Sequence, residues 1–132
     1  MDFTLSPDLQ KLRARYRAFA RNEVVPLDTT PESYDEHDNI REDLLEDLRN
    51  KAKENALWAP QMPVSRGGQG LDVATMAICY EELNYSLFGP VACNCAAPDD
   101  GNMMVLEKVA TPAQKERWLA PIVDGGHVIN SL

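Results

Sequence analysis

Apolar side chains recur along this 132-residue chain at helical rather than strand intervals. Leu5, Leu9, Leu12, Tyr16 and Phe19 follow one another at alternating steps of four and three, which is one apolar stripe on a helix. Ser6-Pro7-Asp8 opens it with a capping hydroxyl, a proline whose missing N–H costs nothing there, and an acid in the first turn. The helix is expected to stop near Val25, because Pro26 pushes its predecessor out of the helical region. Thr29-Thr30-Pro31-Glu32-Ser33 reads as a loop. Ile40, Leu44, Leu45, Leu48 and Ala52 then mark the inward face of a second helix, with Asp38 or Asn39 as its cap. Acids crowd its start and Lys51 and Lys53 its end, which matches the helix dipole.

From Trp58 to Gly70, Pro60, Pro63, Gly67, Gly68 and Gly70 exclude regular structure, and Asp72 caps a third helix. Val73, Met76, Ala77, Tyr80 and Leu83 lie on one face of it, but Ala74, Ile78 and Cys79 occupy the others, so it is expected to be buried. The run Val91 to Ala97 fits a strand or a helix by periodicity alone; helices on both sides favour a short buried helix. Asp99 or Asp100 caps a helix from Gly101 to Ala110 with Met103 and Leu106 inward. Thr111-Pro112-Ala113-Gln114 is a capping box, Trp118, Leu119, Ile122 and Val123 follow, and Gly125-Gly126 ends that helix. The pattern is that of one all-α domain, a bundle of about five or six helices.

Composition narrows the function classes. No apolar stretch approaches the ~20 residues of a membrane span, and the N-terminus lacks the charged and apolar regions of a signal peptide. Cys79, Cys93 and Cys95 show no CxxC spacing, so they read as buried thiols of a cytoplasmic protein rather than a disulfide or zinc framework. Lys+Arg 13 against Asp+Glu 21 gives a net charge of −8. Nine acids and one Arg between Asp28 and Asp47 account for all of it. Lys11, Arg13, Arg15, Arg17 and Arg21 form a basic run that could lie against this acidic stretch, its own or a neighbour's. One basic helix in so acidic a protein argues against nucleic acid as partner.

Candidate chemistry is sparse. Arg66-Gly67-Gly68-Gln69-Gly70 precedes a helix, yet lacks the strand and the Lys-Ser/Thr ending of a P-loop, so it reads as a turn. Glu81 and Glu82 point about 100 degrees apart and cannot share one site; one is expected to pair with an Arg of another helix. His37 and His127 are expected to be exposed, no cluster has metal spacing, and Ser131 has no nucleophile elbow around it. Trp58 and Trp118 read as core anchors. Asn94 stands inside an apolar run and must satisfy its amide, either on backbone or facing a pocket.

The order of motifs resembles a known family. Asp2-Phe3-Thr4-Leu5-Ser6-Pro7, Val24-Val25-Pro26-Leu27, Pro63-x-x-x-Gly67-Gly68-x-Gly70-Leu71 and Glu81-Glu82-Leu83 are similar to the N-terminal domain of flavin-dependent acyl-CoA dehydrogenases. So are Ala97-Pro98-Asp99-Asp100-Gly101-Asn102-Met103 and Thr111-x-x-Gln114-Lys115-x-x-Trp118-Leu119-x-Pro121-x-x-x-Gly125, which look most like the branch acting on longer or 4-hydroxylated acyl chains. The resemblance covers residues 1–125, with 126–132 a divergent tail.

The resemblance implies dehydrogenation of an acyl-CoA thioester, a glutamate taking the α proton while the β hydride passes to FAD. In the family the flavin and the glutamate belong to later domains, so no catalytic or cofactor-binding residue is expected in this chain. What it matches is the helical wall of the acyl-chain tunnel. Asn94, Ala97, Pro98 and Asn102 are the candidate substrate contacts, and association with the missing domains or a homo-oligomer is expected. The alternative is a non-catalytic remnant or protein-interaction module.

Overall fold

The computed structural model describes residues 4–126. Helix α1 (Pro7–Phe19) starts at Ser6, whose hydroxyl accepts from the Leu9 amide at 3.3 Å. Tyr16 and Phe19 bury the end of its apolar stripe. The helix does not stop at Val25: a π turn (Ala20–Val24) leads straight into α2 (Val25–Asp28), and Val25 remains helical at φ −52°. The wider turn, in which Val25 donates to the Ala20 carbonyl, resets the hydrogen-bond register just before Pro26. A proline without an N–H is thereby accommodated rather than expelled.

Helix α3 (Glu42–Glu54) is preceded by Arg41, with no side-chain cap. Asp38 and Asn39 do not cap it, because they belong to a tight turn in which the Asp35 carboxylate accepts from the amides of His37 and Asn39 at 2.8 and 2.9 Å. Leu45, Leu48 and Ala52 face the core as the spacing predicts. After a 3-10 turn (Val64–Arg66), α4 (Val73–Leu83) begins at Asp72, which accepts from the Thr75 amide at 2.9 Å.

Ala92 to Cys95 of the apolar run after Gly89 are buried, but the helix lies earlier than the sequence suggests. Helix α5 (Gly89–Ala92) ends where Cys93 to Ala97 turn irregularly. Gly89 is fixed by contact, since a Cβ there would lie 2.1 Å from the Leu83 carbonyl oxygen. Helix α6 (Asp99–Val109) has Asp99 and Asp100 in its first turn, where they complement the dipole without capping. Helix α7 (Pro112–Gln114) carries the expected capping box. It runs through a second π turn (Lys115–Leu119) into α8 (Ala120–Val123), where Pro121 repeats the arrangement at Pro26.

Tyr16, Leu48, Leu57, Met62, Leu83, Met103, Leu119 and Ile122 form the centre of the core. No strand occurs among the described residues, apart from an isolated bridge between Tyr34 and Ile40. None of the described helices is long and apolar enough to cross a membrane. Helix α1 packs on α4, not on the acidic segment. The reason is the buried Glu82 carboxylate, which accepts from Arg13 Nε at 2.6 Å and from Arg17 Nη2 at 2.7 Å.

Two burial expectations fail together. Helix α4 leaves Val73 78% exposed, with Ala74 and Ala77 beside it, and Trp118 is 45% exposed rather than a core anchor. Periodicity reports how apolar a face is, not whether a partner within the same chain covers it.

Candidate functional site

Asn94 and the start of α6 are held by different means. Asn94 adopts a left-handed backbone at φ +55° and is only 4% exposed. Its Nδ2 donates to the carbonyls of Ile122 and Val123 at 3.0 and 3.3 Å, and its own carbonyl accepts from Gln61 Nε2 at 2.9 Å. The amide is therefore satisfied on backbone across the core. Ala97 and Pro98, joined by a cis peptide, are exposed, and Asn102 is half-buried one turn on, its amide donating to the Pro98 carbonyl at 3.2 Å. The structure thus groups Ala97, Pro98 and Asn102 at the surface and sets Asn94 beneath.

Sequence reasoning missed the residues that complete the support. The carbonyls at the end of α8 are captured by three further side chains, two from α3 and one from the turn after it. Trp58 Nε1 donates to Val123 at 2.8 Å, Arg49 Nη1 to Gly125 at 3.2 Å and Lys53 Nζ to Asp124 at 2.9 Å. These groups satisfy acceptors that a helix end leaves orphaned. Gly125 permits the closure at φ +86°, where a Cβ would meet the Trp58 ring at 2.9 Å. The glycine pair was the one local signal; its partners lie far away in sequence.

The electrostatics around α6 are those of a partly dry surface. Burial raises the carboxyls of Asp99 and Asp100 above the ordinary range, with the Arg49 guanidinium opposing the rise at Asp99. Asp99 Oδ1 is buried and has no hydrogen-bond partner among the described residues. Burial pushes the Cys95 thiol up to about 12 and that of Cys79 to about 11, and Cys93 rises as well. All three cysteines are free and buried, so they are protonated at neutral pH and poor nucleophiles. Among the described residues no group of His, Cys, Asp or Glu could hold a metal ion.

The glycine-rich loop is closed to phosphate. The amides of Gly67, Gly68, Gln69, Gly70 and Leu71 donate to the carbonyls of Val64, Pro63, Ala59, Met62 and Pro60 in turn. A cradle needs free amides, and these are engaged. Glu82 is neutralised by two arginines and Glu81 lies on the surface at 3.5 Å from Arg13, so neither is placed as a base.

Comparison with known proteins identifies this arrangement. The sequence profile of the acyl-CoA dehydrogenase N-terminal domain matches residues 6–126, and the chain belongs to that family. Acyl-CoA dehydrogenase family member 10 of Mus musculus is 34% identical over 128 residues, covering 92% of this chain and 12% of that protein. "Probable acyl-CoA dehydrogenase FadE2" of Mycobacterium tuberculosis is 32% identical over 130 residues, covering 95% of this chain and 31% of that protein. A solved structure assigned as an acyl-CoA dehydrogenase from Mycobacterium abscessus superposes with a TM-score of 0.77 at 33% identity, over 93% of this chain and 33% of that one. The chain therefore spans a third or less of these relatives. Acyl-CoA dehydrogenases are FAD-dependent, and this chain corresponds to their all-α N-terminal domain.

Proposed function

We propose that this chain walls one side of the acyl tunnel in a FAD-dependent acyl-CoA dehydrogenase, where a thioester loses an α proton and a β hydride. The observation that carries the reading is the continuous family match over residues 6–126, which includes the start of α6. In this reading Ala97 and Pro98 supply apolar contact to the acyl chain, Asn102 a polar one, and Asn94 positions them from beneath. FAD, when bound, accepts the hydride. The glycine-rich loop does not fit its pyrophosphate, because the loop amides are engaged by Ala59–Val64. In this reading flavin binding and the catalytic base lie outside residues 4–126, as the family resemblance implies.

The run from Ala97 to Met103 supports a long or 4-hydroxylated acyl chain as substrate, and three protonated thiols support a cytoplasmic setting. Val73 on α4, Val105 and Val109 on α6, and Trp118 form exposed apolar surface suited to the remaining domains or a second copy. Of the divergent tail expected over residues 126–132, residues 127–132 lie outside the described residues.

The test is turnover by the protein isolated from its source, using acyl-CoA thioesters of graded length and a dye as electron acceptor. Long-chain thioesters should be dehydrogenated, and Ala97→Phe should raise KM several-fold for long chains while sparing short ones. A protein that carries FAD yet turns over none of the thioesters overturns the proposal.

A further inference from the structure

Away from the α6 surface, a groove of about 640 Å³ runs between the turn before α3 and the segment entering α5. Its floor is apolar: Ile40, Leu45, Phe88 and Val91, with Tyr34 and Leu87 as walls. Leu87 is 84% exposed, an unusual position for a leucine beside an apolar floor. The floor is held in place. Tyr34 packs on Phe88 with ring centroids 5.3 Å apart, and its hydroxyl donates to the Asp28 carbonyl at 2.8 Å. Ser86 Oγ donates to the Asp28 carboxylate at 2.8 Å, tying the same corner to α2.

The rim is acidic and unneutralised. Asp35, Asp38 and Glu42 line it, and among the described residues none of the three has an ion-pair partner. Arg41, the one Lys or Arg between Asp28 and Asp47, is turned onto Asp43 at 2.6 Å. The amides of Asn39 and His37 hold the Asp35 carboxyl below the usual range, so it stays ionised. Such a rim repels phosphate, whether of a lipid surface or a nucleic acid. A purely apolar occupant would desolvate the carboxylates without pairing them.

We infer that this groove docks a short peptide segment of another polypeptide, in which an apolar side chain that fills the floor is flanked by lysine or arginine. The apolar side chain packs against Phe88, Val91 and Leu87, and the flanking cations meet Asp38 and Glu42. The docking is independent of acyl-CoA turnover, since no groove residue belongs to the α6 surface.

The experiment is an amide chemical-shift titration of the isotope-labelled chain with a synthetic peptide of alternating leucine and lysine, and with its leucine and glutamate counterpart. Shifts should be confined to the groove residues, occur only with the lysine peptide, and fade in roughly 0.5 M salt, where screening shortens to a few ångströms. The pair Asp38→Asn and Glu42→Gln should weaken binding roughly fivefold or more, as should Leu87→Ser. Asn suits the φ of +60° at position 38, so charge is removed without disturbing the turn. As control, Glu54→Gln with Glu116→Gln removes two charges elsewhere and should leave affinity within about twofold. Equal weakening by both pairs, shifts scattered over the surface, or equal binding of the glutamate peptide overturns the inference. So does movement of the groove signals with protein concentration alone, which would make a second copy the occupant.

Discussion

Replacing Glu82 by glutamine tests what holds α1 on α4. The carboxylate is 1% exposed and accepts three hydrogen bonds, from Arg13 Nε at 2.6 Å and from Arg17 Nε and Nη2 at 2.9 and 2.7 Å. The two guanidinium groups, Arg17 first, lower its pKa from 4.5 to about 2, against an opposing desolvation. Linkage makes that shift worth roughly 3 kcal/mol. Removing one partner of a fully buried pair costs about 3–5 kcal/mol, but here the arginine side chains are 31% and 53% exposed and water relieves them. Glu82→Gln should therefore destabilise the chain by about 2–3 kcal/mol, read as a fall of roughly 1–2 M in the urea midpoint. The sign with pH follows from the depressed folded-state value. The stabilisation is complete above the unfolded pKa of 4.5 and is lost as pH falls toward about 2. Wild type and variant should differ fully at pH 7 and converge in acid. A difference that persists unchanged to pH 3, or a midpoint shift below about 0.3 M at pH 7, refutes the reasoning.

Gly125→Ala forces a Cβ onto Trp58 at a left-handed position, and should cost about 2–4 kcal/mol in thermal unfolding followed by tryptophan fluorescence. Asn94→Gly keeps the backbone conformation and loses only the side-chain tether, whereas Asn94→Ala loses both. Chemical denaturation should rank alanine the more destabilising by roughly 1 kcal/mol. Cys79, Cys93 and Cys95 should resist a thiol reagent at pH 8 in the native chain and all react in denaturant, as burial and their raised pKa values require; rapid native labelling of any of them contradicts the packing.

Three helix starts were legible because their caps are local. Ser6, Asp72 and the Thr111 box each act within one helical turn, and the structure shows all three hydrogen bonds. Pro26 misled because the rule for its predecessor assumes an α register, and a π turn supplies another. Asp38 and Asn39 looked like caps because the competing claim of Asp35 on the same turn leaves no periodic trace. The Arg13 and Arg17 face was visible, and so was the need of Glu81 or Glu82 for an Arg of another helix, which Glu82 meets; periodicity did not show that these would be each other's partners, ahead of nine acids nearer to the arginines in sequence. Trp118 and Val73 show the limit on burial, which depends on partners that a periodic pattern does not contain. At the start of α6 the motif was legible while its support was not. The Asn94 amide needed acceptors, and those lie 28 and 29 residues away at the end of α8.

The hydrogen bonds that Arg49, Lys53, Trp58 and Asn94 donate to residues 122–125 also determine how the domain responds to tension. A helix end normally peels one carbonyl at a time when the chain beyond it is pulled. Here α3, the Trp58 turn and the Asn94 turn all hold residues 122–125, so a pull at Gly126 is shared among them. Motion of whatever follows Gly126 would thus be felt directly beneath the start of α6, as though the two were parts of one rigid joint.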